Sequence, residues 1–355
     1  MRPPAGLAAL TDRLPDRLPE RLADRLADPF GRESHLERPA SPRVLVITGA
    51  SSGIGRAVAR EAAALGDHLV LAARSDEVLE EVAHECTERG AASVLVVPTD
   101  VGDDDEVAAL VERTLAAHDR VDAVVNSAGV VAYGPAEEVP REVFDRVLRT
   151  NLVGSANVAR HVLPVLRRQQ RGTLVLVGSV LGSLAAPAMT PYVVSKWGVR
   201  GLARQLQVEN RDLPGVHVCH VAPGGVDTPI YDQGADYAGV VGQPPPSVTP
   251  ELVARRLLRR LESPPAELQV GIGNDVMRLG FTVLPRAYDA LVGPVFGVVG
   301  LDPTRRRATD PGNVLEPNPE GNAVRGDYQT VVHRVGRTVL TRARALSRSV
   351  PGRAT

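Results

Sequence analysis

The chain has 355 residues, 43% of them apolar and 23% charged, proportions that exclude a wholly disordered protein; its 33 glycines follow no three-residue period, which excludes collagen. With 41 basic against 42 acidic residues the net charge is −1, and aromatics make up 3%. A protein built to hold nucleic acid needs a basic face or stacking aromatics, so no nucleic-acid partner is expected.

Residues 1–42 read as a low-complexity extension. Leu14, Leu18, Leu22 and Leu26 recur every four positions, each after an arginine, while Pro15 and Pro19 obstruct a helix through the first repeats. Two readings stay open: a disordered arm, or a short amphipathic helix over about 20–27 lying on a membrane or a partner. The segment has no apolar run, so it is not a secretory signal, and a cytoplasmic location is expected.

From Arg43 the pattern becomes strand–helix alternation over 43–273. Apolar branched runs predict strands at Val44–Thr48, His68–Ala73, Ser93–Pro98, 121–126, 173–177, 216–222 and 267–272. Helical patterns fall at 53–65, 76–89, 103–117, 138–168, 192–213 and 249–261. The expected fold class is therefore α/β: a Rossmann-type doubly wound parallel sheet of about seven strands with helices on both faces, ligands binding at the strands' carboxyl ends. Residues 228–248, with Pro229 and Pro244–Pro246, read as a mobile loop over that end. Residues 274–301 are apolar, but the longest uncharged piece, 290–301, is too short for a span of about 20 residues. They are expected to form a substrate-pocket wall or a dimer contact, with an interfacial membrane patch as the alternative. Residues 302–355 form a basic tail, either solvated or touching acidic partners or lipid headgroups.

Cys86 and Cys219 make neither a disulfide scaffold nor a zinc ribbon and are expected as buried thiols. His217 and His220 lie three apart in a predicted strand and so face opposite ways; no metal site is expected.

Between the first strand and first helix lies Thr48-Gly49-Ala50-Ser51-Ser52-Gly53-Ile54-Gly55. Glycine lets the backbone turn sharply, and the following helix N-terminus offers N–H groups and a partial positive charge to a pyrophosphate. The second strand ends in Arg74, where a site for NAD usually places an acid; an arginine pairs with a 2′-phosphate, so NADP(H) is expected over NAD(H). Of the 41 basic residues 40 are arginine, and the one lysine is Lys196. It follows Tyr192 by four, which places both on one helix face. The ammonium is expected to lower the phenol's pKa, and its compact donors suit a ribose hydroxyl better than arginine's planar fork. Thirteen residues before Tyr192, at a strand end, Ser179 can orient a substrate carbonyl; Ser183 is its competitor.

With these motifs the chain resembles the classical short-chain dehydrogenase/reductase family, whose turn reads T-G-x-x-x-G-x-G, over about 43–273. The resemblance implies that Asp100 binds the adenine amino group and the Val101 N–H its ring. It implies that Asn126, Ala128 and Gly129 border the cofactor ribose, with Ser127 where the family usually has a second asparagine. It places Asn151 on a proton path through water to the lysine. It assigns Pro223, Gly224, Val226 and Thr228, in P-G-x-V-x-T, to the nicotinamide carboxamide. The implied activity is hydride transfer between the nicotinamide, of NADP(H) on the reading of Arg74, and an alcohol/carbonyl pair; the apolar stretch 276–300 points to a hydrophobic substrate. Asn151, Ser179, Tyr192 and Lys196 form the implied catalytic set, in a homodimer or homotetramer built on the two long helices. An extended-type epimerase or dehydratase would need T-G-x-x-G-x-x-G. A catalytically silent nucleotide sensor or scaffold on the same fold is the reading from a different class.

Overall fold

Branched apolar runs present no polar side to water, and the chain stacks them edge to edge. In the computed structural model, which describes residues 36–243, 247–271 and 273–326, seven of them form one parallel sheet. These are β1 (Val44–Thr48), β2 (His68–Ala73), β3 (Ser93–Pro98), β4 (Ala123–Asn126), β5 (Gly172–Val177), β6 (Val216–Pro223) and β7 (Glu267–Val270). Their order is β7-β6-β5-β4-β1-β2-β3. The order reverses between β1 and β4, where a crevice opens at the carboxyl ends of the strands. The register there sets Thr48 beside Asn126, whose side chains share a 2.6 Å hydrogen bond.

The helices are α1 (Gly53–Ala64), α2 (Asp76–Glu88), α3 (Asp104–His118), α4 (Arg141–Leu148), α5 (Gly154–Gln169), α6 (Thr190–Glu209), α7 (Pro250–Arg259), α8 (Asn274–Val283) and α9 (Pro285–Val299). Alternation along the strands divides the core in two. Leu45, Ile47, Leu69 and Leu71 pack with α1, α2 and α7 on one face. Val46, Val70, Leu174 and Leu176 pack with α3, α5 and α6 on the other. Cys86 and Cys219 are buried free thiols.

Three features depart from the sequence reading. The helix expected over 138–168 is two helices joined by a π-helical turn, Arg149–Val153. The extra residue in that turn re-aims the side chain at 151, as described below. Residues 228–248 are not structureless among the described positions. They hold a helical turn, Ile230–Gln233, and short strands at Ala235–Asp236, Val240–Gly242 and Ser247–Val248, whose backbones pair with Ala132–Tyr133, Leu301–Arg306 and Gly225–Val226. Pro244–Pro246 lie outside the described residues. The basic tail is, as far as residue 326, anchored to the fold at separate points: Leu301–Arg306 pairs with Val240–Gly242, Val314 is fully buried beside Val130, Val143 and Val147, and Val324 joins the core over α7, while 316–321 stay exposed. The leucine repeat of 1–35 and the tail beyond 326 lie outside the described residues.

α8 and α9 form a hairpin tied to β7 by an Arg278–Glu267 ion pair of 2.9 Å and to α6 by the edge-on rings of Trp197 and Phe281; Phe281 in turn meets Tyr288 edge-on within the hairpin. Its outer face stays apolar and exposed at Val276, Leu279, Leu284 and Leu291. Among the described residues no helix is long and apolar enough to cross a membrane.

Candidate active site

The turn after β1 is built by close approach. Gly49 (φ +65°) lies against the backbone of Ser127 and Ala128, 2.8 Å from where its own Cβ would stand. A Cβ on Gly55 would collide with the Gly49 carbonyl, so glycine there lets α1 begin directly under the turn. Gly49, Ser51, Ser52, Gly53 and Ile54 line a polar cleft along the strand tips; Gly55 sits behind it. Arg74, Asp100, Val101, Ala128 and Gly129 line the same cleft, as do Thr228, Tyr192 and Lys196. Asn126 is buried beneath it, donating to Ser155 Oγ at 2.9 Å. Pro223 closes β6, Gly224 faces an adjoining pocket, and Val226 turns into the core beside Val248.

α6 carries Tyr192 and Lys196 on one face, with the ammonium 5.6 Å from the phenol ring centroid. Lys196 is 5% exposed and donates to the Val177 carbonyl at 3.0 Å, one of its three N–H groups. Burial lowers its pKa to about 8. Burial raises that of Tyr192 to about 12, opposed by a side-chain hydrogen bond with Ser179. Desolvation thus holds the phenol up, against the lowering expected from the ammonium. Ser179, at the end of β5, accepts from the Leu181 N–H at 3.1 Å. Ser183 lines neither this cleft nor its neighbour.

Asn151, on the π turn, accepts from the Val130 N–H and donates to the Val130 carbonyl and to Ser195 Oγ, each at 2.9 Å. A Cβ on Gly129 would stand 3.4 Å from its Oδ1 and 3.6 Å from Lys196 Nζ, so the three meet at the cleft floor. The Asn151 carbonyl accepts from Ser155 Oγ at 2.6 Å.

Tyr192 and Ile230 line both this cleft and an apolar pocket behind Ser179. Val131, Tyr133, Leu184 and Met189 form one wall of that pocket; Met277, Val292 and Phe296 of the hairpin form the other.

After β3, Arg146 of α4 forms an ion pair with Asp100, and Asp100 also accepts from the Gly102 N–H at 2.9 Å. Burial and the Arg146 charge lower the Arg74 pKa, opposed by Asp100 and Glu316. Arg74 donates to the Asn313 and Val314 carbonyls at 2.6 and 3.3 Å. Arg146, Gln233, Asn313, Asn318 and Asn322 were not apparent from sequence. The pattern Pro317-Asn318 and Asn322 carries no motif, and only the fold brings it to the cleft.

A nicotinamide dinucleotide suits these groups: a glycine turn at a helix start, a buried amine for a ribose hydroxyl, and an arginine pair at the far end. The short chain dehydrogenase family model matches residues 43–236, and this chain belongs to the short-chain dehydrogenase family of oxidoreductases. It is 36% identical over 230 residues to oxidoreductase UcpA of Salmonella typhimurium, covering 64% of this chain and 84% of that one. It is 32% identical over 192 residues to human dehydrogenase/reductase SDR family member 7, which spans 53% of this chain and 57% of the human protein. An alcohol dehydrogenase of the archaeon Thermococcus sibiricus, solved with 5-hydroxy-NADP, superposes with a TM-score of 0.57 at 32% identity, covering 65% of this chain and 96% of that one.

Proposed function

We propose that this chain is an NADP(H)-dependent oxidoreductase that interconverts a hydrophobic alcohol and its carbonyl compound. The observation that carries this reading is the seat of Tyr192. Its hydroxyl is hydrogen-bonded to Ser179 and lies where the polar cleft meets the apolar pocket. Bound in the cleft, the nicotinamide supplies or accepts the hydride. Tyr192 gives a proton to the substrate oxygen in reduction and takes it back in oxidation. Ser179 donates a hydrogen bond to that oxygen as charge develops on it. Lys196 holds a ribose hydroxyl and favours the phenolate electrostatically. Asn151 positions the Val130 backbone and supports proton exchange behind the lysine.

Arg74 on the cleft wall supplies a cation that can pair with a 2′-phosphate, the Arg146 charge beside it being paired with Asp100, and the Thermococcus relative carries an NADP derivative. The lining of the second pocket supports an apolar substrate body.

Steady-state assays with NADPH and NADH against a panel of aliphatic and cyclic ketones test the reading. NADPH-dependent turnover of apolar ketones is expected. Cofactor binding without turnover across the panel would favour the silent sensor instead.

A further inference from the structure

We propose that residues 310–323 are part of the cofactor site: a strap whose Asn318 and Asn322 side chains contact the bound dinucleotide from outside and slow its release. This rests on the proposed reading of the cleft as a nicotinamide dinucleotide site.

The strap lies across the cleft rather than beside it. Its Ala323 carbonyl accepts from the Gly53 N–H at 2.9 Å, taking one of the donors at the start of α1. At the other end, Asn313 and Val314 accept from Arg74 through their carbonyls. Between these points Pro317, Asn318 and Asn322 line the same cleft as Lys196. Two anchors hold it. Val314 is fully buried, and Gln233, itself 5% exposed, accepts from Asn313 Nδ2 at 3.1 Å and donates to Asn322 Oδ1 at 3.2 Å.

These contacts have a chemical consequence. The strap satisfies two of Arg74's five N–H donors with neutral carbonyls, leaving three for an anion while fixing the side chain's direction. Amide side chains at 318 and 322 bring donors and acceptors without charge, suited to ribose hydroxyls and phosphate oxygens alike. With Gly53 and Arg74 both bridged to one segment, a long ligand cannot leave outward along the cleft without displacing it.

The test uses the full chain and NADPH fluorescence, with association and release followed by stopped flow. Asn318→Ala with Asn322→Ala should speed NADPH release and weaken affinity about three- to tenfold. Gly312→Ala acts independently of the side-chain contacts. Gly312 has φ +54°, and a Cβ there meets the Gln233 and Gly234 carbonyls, so the strap is prised from its anchor. This variant should also release NADPH faster. A wild type that binds neither NADPH nor NADH overturns the reading of the cleft and the strap with it. A wild type that binds NADPH while both variants release it at the wild-type rate overturns the strap alone.

Discussion

Tyr192 is held protonated by burial, with a pKa of about 12, while the Lys196 pKa falls to about 8. The signs predict different pH profiles for the two directions. A proton donor with a raised pKa is fully protonated through neutral pH, so carbonyl reduction should vary little there. The base form grows with pH, so alcohol oxidation should rise from about pH 6 and flatten above about pH 8 as the neighbouring amine loses its charge. A pH-rate series in both directions checks this; an oxidation rate flat over that interval would contradict the role given to Tyr192. Tyr192→Phe keeps the ring and removes the proton. It should bind NADPH normally and lose about 10²- to 10⁴-fold in kcat. At Arg74 the same logic concerns charge. Arg74→Asp should lower the NADPH-to-NADH ratio of kcat/KM by about 10- to 100-fold, the scale of a charge-assisted hydrogen bond lost. An unchanged ratio would assign the 2′-phosphate to Arg146. Arg74 and Tyr192 could be read directly from sequence because a strand end and an i, i+4 spacing fix their places. Arg146 could not, because its pairing with Asp100 joins α4 to the turn after β3 across 46 positions.

The parallel strands were legible as short buried runs, since both faces of such a sheet are covered and no polar alternation interrupts them. The π turn at Arg149–Val153 was not, because α4 and α5 each continue the same helical periodicity on either side of it. Yet the turn places Asn151 on the Val130 backbone. Asn151→Ala would leave the buried Val130 N–H and carbonyl without that partner, a loss of about 1–3 kcal/mol in denaturant unfolding, together with a fall in kcat. The contrast lies at α3. Asp103 caps that helix, accepting from Asp105 and Glu106 N–H at 3.0 and 3.2 Å, away from the cleft. Asp103→Ala should cost about 0.5–2 kcal/mol of stability and leave kcat at the wild-type value. Equal losses of kcat in both variants would show that Asn151 acts only through stability.

For the molecule as a whole, the sheet sets the chemistry and what is added after β7 shapes the site. Composition marked 274–301 as apolar but left open whether it faced a pocket, a second chain or a lipid surface. The hairpin divides that apolar surface, turning Val292 and Phe296 inward and Val276, Leu279 and Leu284 outward, with Met277 at the pocket's exposed rim. The strap was illegible for a different reason: Arg74 and Val314 are 240 positions apart, and a backbone carbonyl can come from any residue type. The inward face of the hairpin yields a quantitative expectation for the proposed activity. Each methylene transferred from water to an apolar wall contributes about 0.8 kcal/mol, or about fourfold in kcat/KM. Along a homologous series of ketones, kcat/KM should therefore climb by about fourfold per methylene until the pocket is filled, and then level. Val292→Asp places an unpaired charge on that wall. It should flatten the series while leaving NADPH affinity unchanged, since residue 292 does not line the cofactor cleft. A series already flat in the wild type would mean that the substrate's body lies elsewhere, and that Met277, Val292 and Phe296 do no more than close the hairpin over the sheet.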